Sequence, residues 1–243
     1  MSGPPYTRSA EVYDVIYGNE AHDYRALAQS VVSLIEERNP EAATLLEVAC
    51  GTGKYVEHLE ERFTVTGVDV SPAMLQVARA RFPDITFVEG DMRDFVLGRK
   101  YDAVVCLFSS LGYMTTQDDL VRAVGTMAAH LTDGGVLIAD GWLRPGVVVD
   151  GHVDVGSSTV GGVSVARMSF TRIVGAATEM DMHHLVGRTG HGVESYVERH
   201  VMGLFSDDEY LAAFSSAGLT GLAVVDGYPG RGRFVGSRPD ALG

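Results

Sequence analysis

Residues 45–53, Leu-Leu-Glu-Val-Ala-Cys-Gly-Thr-Gly, put an acid, Glu47, inside an apolar run that ends in Gly51 and Gly53. The pattern changes there from strand period to helical period, with glycine punctuation between. Glycine lets a backbone approach a ligand because no Cβ intervenes. The carboxyl end of a strand is also where open α/β sheets bind their ligands. Two ligand types compete for such a turn. A dinucleotide calls for Gly-x-Gly-x-x-Gly and a helix N-terminus aimed at its diphosphate. Its third glycine would fall at position 56, which is Val56. S-adenosylmethionine (SAM) has no phosphate; it needs a partner for its ammonium, room for its carboxylate and an acid for its ribose hydroxyls. Glu47 meets part of that list, and Asp69, in Gly-Val-Asp-Val-Ser at the end of the next apolar run, meets the rest. Asp69 stands about twenty residues past the turn, where ribose binding in this topology calls for an acid. SAM is therefore the expected cofactor, against the bland reading of Asp69 as a turn acid.

Further candidates follow along the chain. After a strand over 85–89 comes Gly-Asp-Met-Arg. Asp91 can accept from an exocyclic adenine amine, and Met92 can lie on the ring face or simply fill core. Gly51, Gly53, Val70 and Phe108 complete the cofactor side. Phe-Ser-Ser-Leu-Gly-Tyr at 108–113 places Ser109, Ser110 and Tyr113 at the mouth of the cleft, beside the methyl-donor position. Tyr13, Tyr17 and Tyr24 fall in a helical stretch that runs to about residue 38. Tyr13 reads as core. Tyr17 and Tyr24 read as an aromatic cover that excludes water and leaves hydroxyls for polar groups. Gly-Arg-Gly-Arg at 230–233 is either a solvated hairpin tip or a phosphate grip, since arginine matches phosphate oxygens in bidentate fashion.

The elements that must position these residues alternate between strand and helix. Residues 1–10 read as a mobile tail. Strands are expected over 44–49, 64–70, 85–89, 101–108 and 135–140, with helices over 54–61, from 72 onward and over 118–130. Ser71 and Pro72 supply an N-cap and a first helical residue, and the continuous apolar run 101–108 suits a strand covered on both faces. From 141 to 204 the pattern becomes glycine-rich and alternating, with strands over 163–173, 178–186 and 193–204. This predicts an antiparallel insertion forming a substrate wall, with Trp142, Arg167 and Ser169 as substrate-side candidates. Ser206 and Glu209 form a capping box for a helix ending at Gly218, and strands over 221–226 and 234–236 close the domain. The fold class is α/β, with residues 1–140 and 205–243 as the cofactor domain.

With 243 residues, 46% of them hydrophobic, the chain has enough apolar material for one large domain with an insertion. A formal net charge of −13 argues against generic nucleic-acid binding, which needs a basic face. Cys50 and Cys106 have no metal or redox spacing and read as buried thiols. His183, His184, His191 and His200 lack a ligand spacing, so no metal is expected; on a strand His183 and His184 would point to opposite faces. No signal core or membrane-length run is found, so a soluble cytoplasmic protein without membrane partners is expected.

The quoted motifs resemble the SAM-dependent N,N-dimethyltransferases of TDP-aminosugars, which finish sugars such as desosamine and mycaminose for macrolide antibiotics. The resemblance rests on Leu-Glu-Val-Ala-Cys-Gly-Thr-Gly, Gly-Asp-Met-Arg-Asp-Phe with Leu-Gly-Arg-Lys, Phe-Ser-Ser-Leu-Gly-Tyr and Gly-Arg-Gly-Arg-Phe, and spans about 13–236. It implies a class I methyltransferase (Rossmann-like) sheet with an antiparallel insertion after the fifth strand, a homodimer and a TDP-aminosugar substrate. It implies that Tyr17 touches the cofactor or the reacting amine. It also implies that Glu47, Ala49, Asp69, Asp91 and Met92 line the cofactor and that Arg231 binds the diphosphate. Tyr17 and Tyr113 become the catalytic candidates; the family has histidine or tyrosine at position 113. Asp-Gly-Trp-Leu at 140–143 replaces the family's Glu-Pro-Trp-Trp, and Phe170 replaces a family histidine. Both changes lie on the substrate side. Three alternatives stay open: an O-methyltransferase on the same fold, a non-catalytic SAM-binding protein and a nicotinamide oxidoreductase.

Overall fold

A computed structural model describes residues 5–17, 23–228 and 230–240. Residues 1–4 of the expected tail and 18–22 of the expected long helix lie outside the described residues. The cofactor domain holds strands β1 (Thr44–Val48), β2 (Thr64–Asp69), β3 (Thr86–Glu89), β4 (Tyr101–Cys106) and β5 (Leu131–Leu143). Its helices are α1 (Tyr13–Tyr17), α2 (Tyr24–Arg38), α3 (Val56–Leu59), α4 (Pro72–Arg81), α5 (Gln117–Ala129) and α6 (Asp207–Ser216). The insertion supplies β6 (His152–Val160), β7 (Val163–Val174), β8 (Ala177–Arg188) and β9 (Gly192–Gly203), and β10 (Thr220–Asp226) and β11 (Arg231–Ser237) close the chain.

The main sheet runs β10-β11-β5-β4-β1-β2-β3. β1 pairs in parallel with both β2 and β4, while β11 is antiparallel to β5 and β10. The chain leaves β1 toward β2 and β3 and then crosses back to β4. That reversal opens a crevice at the carboxyl ends of β1 and β4. Neighbouring residues on one strand serve opposite faces. Leu46 joins Leu120, Val124, Phe214 and Phe234 beneath α5 and α6, whereas Leu45 joins Val31, Ile35, Leu59 and Leu75 beneath α2, α3 and α4. Local chemistry fixes the helix starts. Ser71 accepts from Met74 N ahead of Pro72, Thr116 accepts from Asp119 N, and Ser206 and Glu209 form the expected capping box.

The insertion is a separate antiparallel sheet, β6-β7-β8-β9. Its inner face buries Ser169, Met180, Met182, His184, Tyr196, His200 and Met202 against the crevice. His183 is exposed and His184 buried, as strand alternation requires. β6 was not anticipated. His-Val-Asp-Val-Gly-Ser-Ser-Thr-Val is mostly exposed and carries little apolar alternation, so its strand state comes from the ladder to β7.

Other expectations are corrected. β5 runs to Leu143, so Gly141 and Trp142 belong to the main sheet. α3 starts only at Val56, because the glycine turn extends past Lys54. The described part of the expected tail is ordered by packing: Ser9 and Ala10 are buried, and Ser9 Oγ donates to Glu198 at 2.6 Å. Among the described residues no helix is long and apolar enough to cross a membrane.

The Gly-Arg-Gly-Arg segment is mostly strand, and its two arginines part company. The β11–β5 register slips between Arg231 and Arg233, and such an irregularity re-aims side chains. Arg233 turns inward and pairs with Asp140 at 2.7 Å, both side chains 2% exposed. It also donates to Ser30 Oγ at 2.8 Å, while Asp140 Oδ2 accepts from Phe108 N at 3.0 Å. Arg233 is thus no phosphate grip. Removing one partner of such a pair strands a buried charge. Arg233→Met should lower the urea-unfolding free energy by about 3–5 kcal/mol, and Arg233→Met with Asp140→Leu should recover most of the loss.

Candidate active site

Three connected chambers occupy the crevice. The first, of about 310 Å³, lies over the carboxyl ends of β1, β2 and β3 and is lined by Ala49, Gly51, Asp69, Val70, Asp91 and Met92, among others. The second, of about 40 Å³, touches Tyr24, Glu47, Ala49, Gly51, Lys54 and Phe108. The third, of about 560 Å³, lies between the main sheet and the insertion and includes Tyr17, Phe108, Trp142, Arg167, Ser169 and Arg231. Tyr13 and Ser110 line all three chambers, and Tyr6 and Tyr113 line the first and third.

The first chamber is shaped by a strained turn. Ala49 has φ 59°, a conformation that costs a non-glycine residue about 1–3 kcal/mol and persists only where surroundings impose it. Asp69 holds the turn from the next strand: Oδ2 accepts from Gly51 N at 2.9 Å and Oδ1 from Ser71 N at 2.8 Å. Burial raises the Asp69 pKa, and those backbone donors work against the rise. Asp91 is clasped by Arg93, with Nη2 to Oδ2 at 2.6 Å, and the guanidinium bonds hold its carboxyl below the usual range.

Glu47 differs from both. It is buried at 2% exposure, and Oε2 has no partner among the described residues. Burial, then the charge of Asp69, pushes its pKa well up. A buried carboxylate without a counter-charge is costly. A cation in the second chamber, where Glu47 and Lys54 both reach, would relieve it.

The third chamber is cationic at one end. Arg231 stacks over Trp142 at 4.5 Å and Tyr228 at 4.9 Å, and Nη1 donates to Ser109 Oγ at 2.9 Å. Its Nε is buried and has no partner among the described residues, and burial lowers its pKa. Arg167 donates from Nη1 to the Tyr17 hydroxyl at 2.6 Å and pairs with Asp154 at 3.2 Å. Met180, Met182 and Met202 gather with Trp142 as an apolar floor.

At the junction, Tyr113 meets His200 Nδ1 at 2.8 Å. His200 is 1% exposed, and burial brings its pKa down to about 4. Among the described residues no three His, Cys, Asp or Glu side chains gather as a metal site. His184 stacks on Tyr196 at 4.8 Å.

Most sequence candidates therefore converge, with four adjustments. Gly53 lines none of the three chambers; a Cβ there would meet Phe82 at 2.9 Å, so its role is packing. Tyr17 faces the third chamber rather than the two on the cofactor side. Ser109 is buried and faces none of the chambers; its hydroxyl anchors Arg231. Tyr13 is not mere core, since it borders every chamber. Tyr6 went unnoticed because it sits in a segment read as tail, and Lys54 because it opens what read as an ordinary helix.

The first two chambers fit SAM better than a dinucleotide. Their walls carry Glu47, Asp69, Asp91 and Asp119; among the described residues their cations are Arg93, committed to Asp91, and Lys54. A diphosphate would meet repulsion there, whereas a cationic nucleoside meets acids at both ends. Known proteins agree. Residues 45–135 match a family described as a methyltransferase domain. The dTDP-3-amino-3,4,6-trideoxy-alpha-D-glucopyranose N,N-dimethyltransferase of Streptomyces venezuelae is 44% identical over 228 residues, covering 93% of this chain and 96% of that protein. The chain belongs to the TDP-aminosugar N,N-dimethyltransferases. The dTDP-3-amino-3,6-dideoxy-alpha-D-glucopyranose N,N-dimethyltransferase of Streptomyces fradiae is 40% identical, covering 93% of this chain and 89% of its own. Streptomyces venezuelae DesVI superposes with a TM-score of 0.89, covering 95% of this chain and 98% of that chain at 44% identity. SAM-bound CalS10 from Micromonospora echinaspora, an amino pentose methyltransferase, gives 0.82, covering 98% and 100% at 36% identity. This family member is a SAM-dependent N-methyltransferase of class I fold.

Two measurements check the electrostatics. Burial raises the Glu47 pKa, and a cation in the second chamber would favour its ionised form. Calorimetry of SAM binding from acidic to neutral pH, in buffers of different ionisation enthalpy, should therefore show net proton release over part of that range. Glu47→Gln should abolish the release and weaken SAM about tenfold, roughly 1.4 kcal/mol. His200 has a folded-state pKa below its ordinary 6.5, so its contribution to stability is intact above that pH and is lost as pH falls toward about 4. Thermal melts over that window should fall more steeply for the wild type than for His200→Leu.

Proposed function

We propose that this enzyme transfers methyl groups from SAM to the amino group of a dTDP-linked deoxyaminosugar, adding two in succession. The observation that carries the substrate reading is Arg231. It stacks on both Trp142 and Tyr228, has a buried Nε without a partner among the described residues, and lies in the same chamber as Tyr113. A desolvated guanidinium of this kind suits a diphosphate. The names of the relatives at 44% and 40% identity supply the aminosugar class.

In this reading Asp91 and Met92 face the adenine, Asp69 the ribose hydroxyls and Glu47 the ammonium. Lys54 and Tyr24 face the carboxylate. Bound SAM supplies a methyl group already activated on a sulfonium. What remains for the chain is to position the amine, exclude water and let a proton leave. Holding two reactants in attack geometry is worth roughly 7–11 kcal/mol, while a general base adds ~10²–10⁴-fold. Tyr113 and Ser110 stand where the chambers meet and orient the amine. Tyr17, braced by Arg167, walls the sugar. The apolar methionine floor suits a deoxygenated ring.

We also propose a homodimer formed through the outer face of the insertion. Val155, Met168, His183 and Val197 lie in register across all four strands, and the three apolar members are each about half exposed or more. Phe170 and Val153 extend the row. An exposed apolar face of this size marks an interaction surface. The buried reduced thiols Cys50 and Cys106 suit a cytoplasmic enzyme.

Incubation with SAM and a panel of dTDP-aminosugars, read by mass, should give gains of one and then two methyl groups. Methylation of hydroxy sugars alone would favour the O-methyltransferase. Cofactor retention without S-adenosylhomocysteine would favour a non-catalytic binder. Arg231→Ala should raise KM for the nucleotide sugar with SAM affinity unchanged. Tyr17→Phe and Tyr113→Phe should each slow turnover by less than ~10²-fold, below the general-base range; total loss with intact cofactor binding would refute positioning as the main contribution. Met168→Glu with Val197→Glu should yield a monomer by analytical ultracentrifugation.

A further inference from the structure

His200 is buried on β9, lines none of the three chambers, and still bonds Tyr113, a phenol at the chamber junction. Tyr113 meets its Nδ1 at 2.8 Å. Its Nε2 is buried and has no partner among the described residues. A histidine kept for structure alone is ordinarily satisfied on both nitrogens. Tyr6, from the N-terminal segment, rests on the same ring at 4.6 Å, and its hydroxyl interacts with those of Tyr113 and Tyr17. Tyr17 in turn receives Arg167 Nη1 at 2.6 Å.

Donor and acceptor chemistry gives this row a direction. Arginine has only donors, so the Tyr17 oxygen must accept from Arg167, and the Tyr17 proton must point elsewhere. The phenol that the Tyr17 hydroxyl bonds is Tyr6, and Tyr6 in turn bonds Tyr113. Each phenol carries a single proton. At the far end stands an imidazole with one nitrogen against Tyr113. If that nitrogen is bare, it takes the Tyr113 proton, and the hydroxyl hydrogens of the row all point away from Arg167.

We infer that His200 is a positioning residue whose unprotonated Nδ1 accepts the Tyr113 hydroxyl, so that Tyr113 offers the substrate amine a lone pair and never a proton. The consequence bears directly on the reaction. A neutral amine has one lone pair, and that lone pair must reach the methyl carbon. A phenol that donates to the amine occupies this lone pair. A phenol that accepts an amine N–H leaves it free and aims it. The inference rests on the reading that the amine sits beside Tyr113, where the first and third chambers meet.

The ring's surroundings keep it neutral at working pH. Facing it are Glu198 on β9, which favours the charged form, and Arg167 on β7 and His184 on β8, which oppose it. Burial is the largest influence and also opposes charge. The Glu198 carboxylate is itself occupied by Arg8 N and the Ser9 hydroxyl. These bonds tie down the segment that carries Tyr6. No proton is stored on His200; it is an acceptor in the resting bond and nothing more.

Two independent readouts test the inference. In 15N-histidine-labelled enzyme with S-adenosylhomocysteine bound, the His200 signals, assigned by comparison with His200→Gln, should show a bare Nδ1 and a protonated Nε2 between pH 6.5 and 9. A protonated Nδ1 overturns the proposal. In single-turnover kinetics with the best dTDP-aminosugar of the panel, His200→Leu should slow methyl transfer at least tenfold with KM for SAM and sugar unchanged, because the freed Tyr113 hydrogen can turn onto the amine. Adding Tyr113→Phe to His200→Leu should restore the rate of Tyr113→Phe alone. His200→Gln, whose amide oxygen can accept, should stay near wild type. A His200→Leu enzyme at full rate, or a double variant slower than Tyr113→Phe alone, overturns the proposal. If no sugar in the panel is methylated, the substrate reading fails while the labelled spectrum still decides the proton's place. If His200→Leu does not fold, the Gln variant and the spectrum decide.

Discussion

The site depends on one buried carboxylate, Asp140. It ends the inner part of β5, where it is paired with Arg233 and accepts the backbone N–H of Phe108. That last bond matters most. Phe108 and Ser109 both take positive φ, 55° and 65°, which side chains other than glycine seldom adopt. Surrounding structure must hold such a pair, and Asp140 is the visible restraint. The resulting bend turns Ser109 under Arg231, Ser110 into the meeting point of the three chambers, and Tyr113 against His200. The sugar side and the methyl side of the cleft thus hang on the same carboxylate. Arg233 fixes it through the buried pair, and two such charges hold together only as a pair.

A second organising feature is the segregation of charge. The chambers assigned to the cofactor carry Glu47, Asp69, Asp91 and Asp119 against Arg93 and Lys54, while the chamber assigned to the nucleotide sugar carries Arg167 and Arg231 against Asp154. A chain with a net charge of −13 cannot attract an anion by its overall field. It can do so with one arginine shielded between aromatic faces. The sulfonium nucleoside, by contrast, meets matching charge at once.

The insertion sheet acts on both sides of itself. Its inner face supplies Arg167, Ser169, the methionine floor and His200, and its outer face carries the apolar row through Met168 and Val197. Strand alternation makes this economical: one set of strands presents a buried face to the cleft and an exposed apolar row on the other side from alternate residues. It also ties the N-terminal segment to the site, since Glu198 holds Ser9 and thereby places Tyr6 between the first and third chambers.

The sequence by itself determined the sheet of the cofactor domain, the glycine turn, and the acids Glu47, Asp69 and Asp91, because these signals are local. Strand period, glycine at a turn and an acid one strand further on are set by neighbours within a few residues. Helix starts at Ser71 and Ser206 were legible for the same reason. Tertiary structure decided what local rules leave open. β6 is a strand only because β7 offers it a ladder, and Arg231 and Arg233 differ only because the β5–β11 register slips between them. Tyr6 reaches the cleft only because a carboxylate 189 residues away from Ser9 holds the segment in place. Those outcomes depend on pairings between distant residues, and a short window of sequence carries no record of which distant partner will stand opposite.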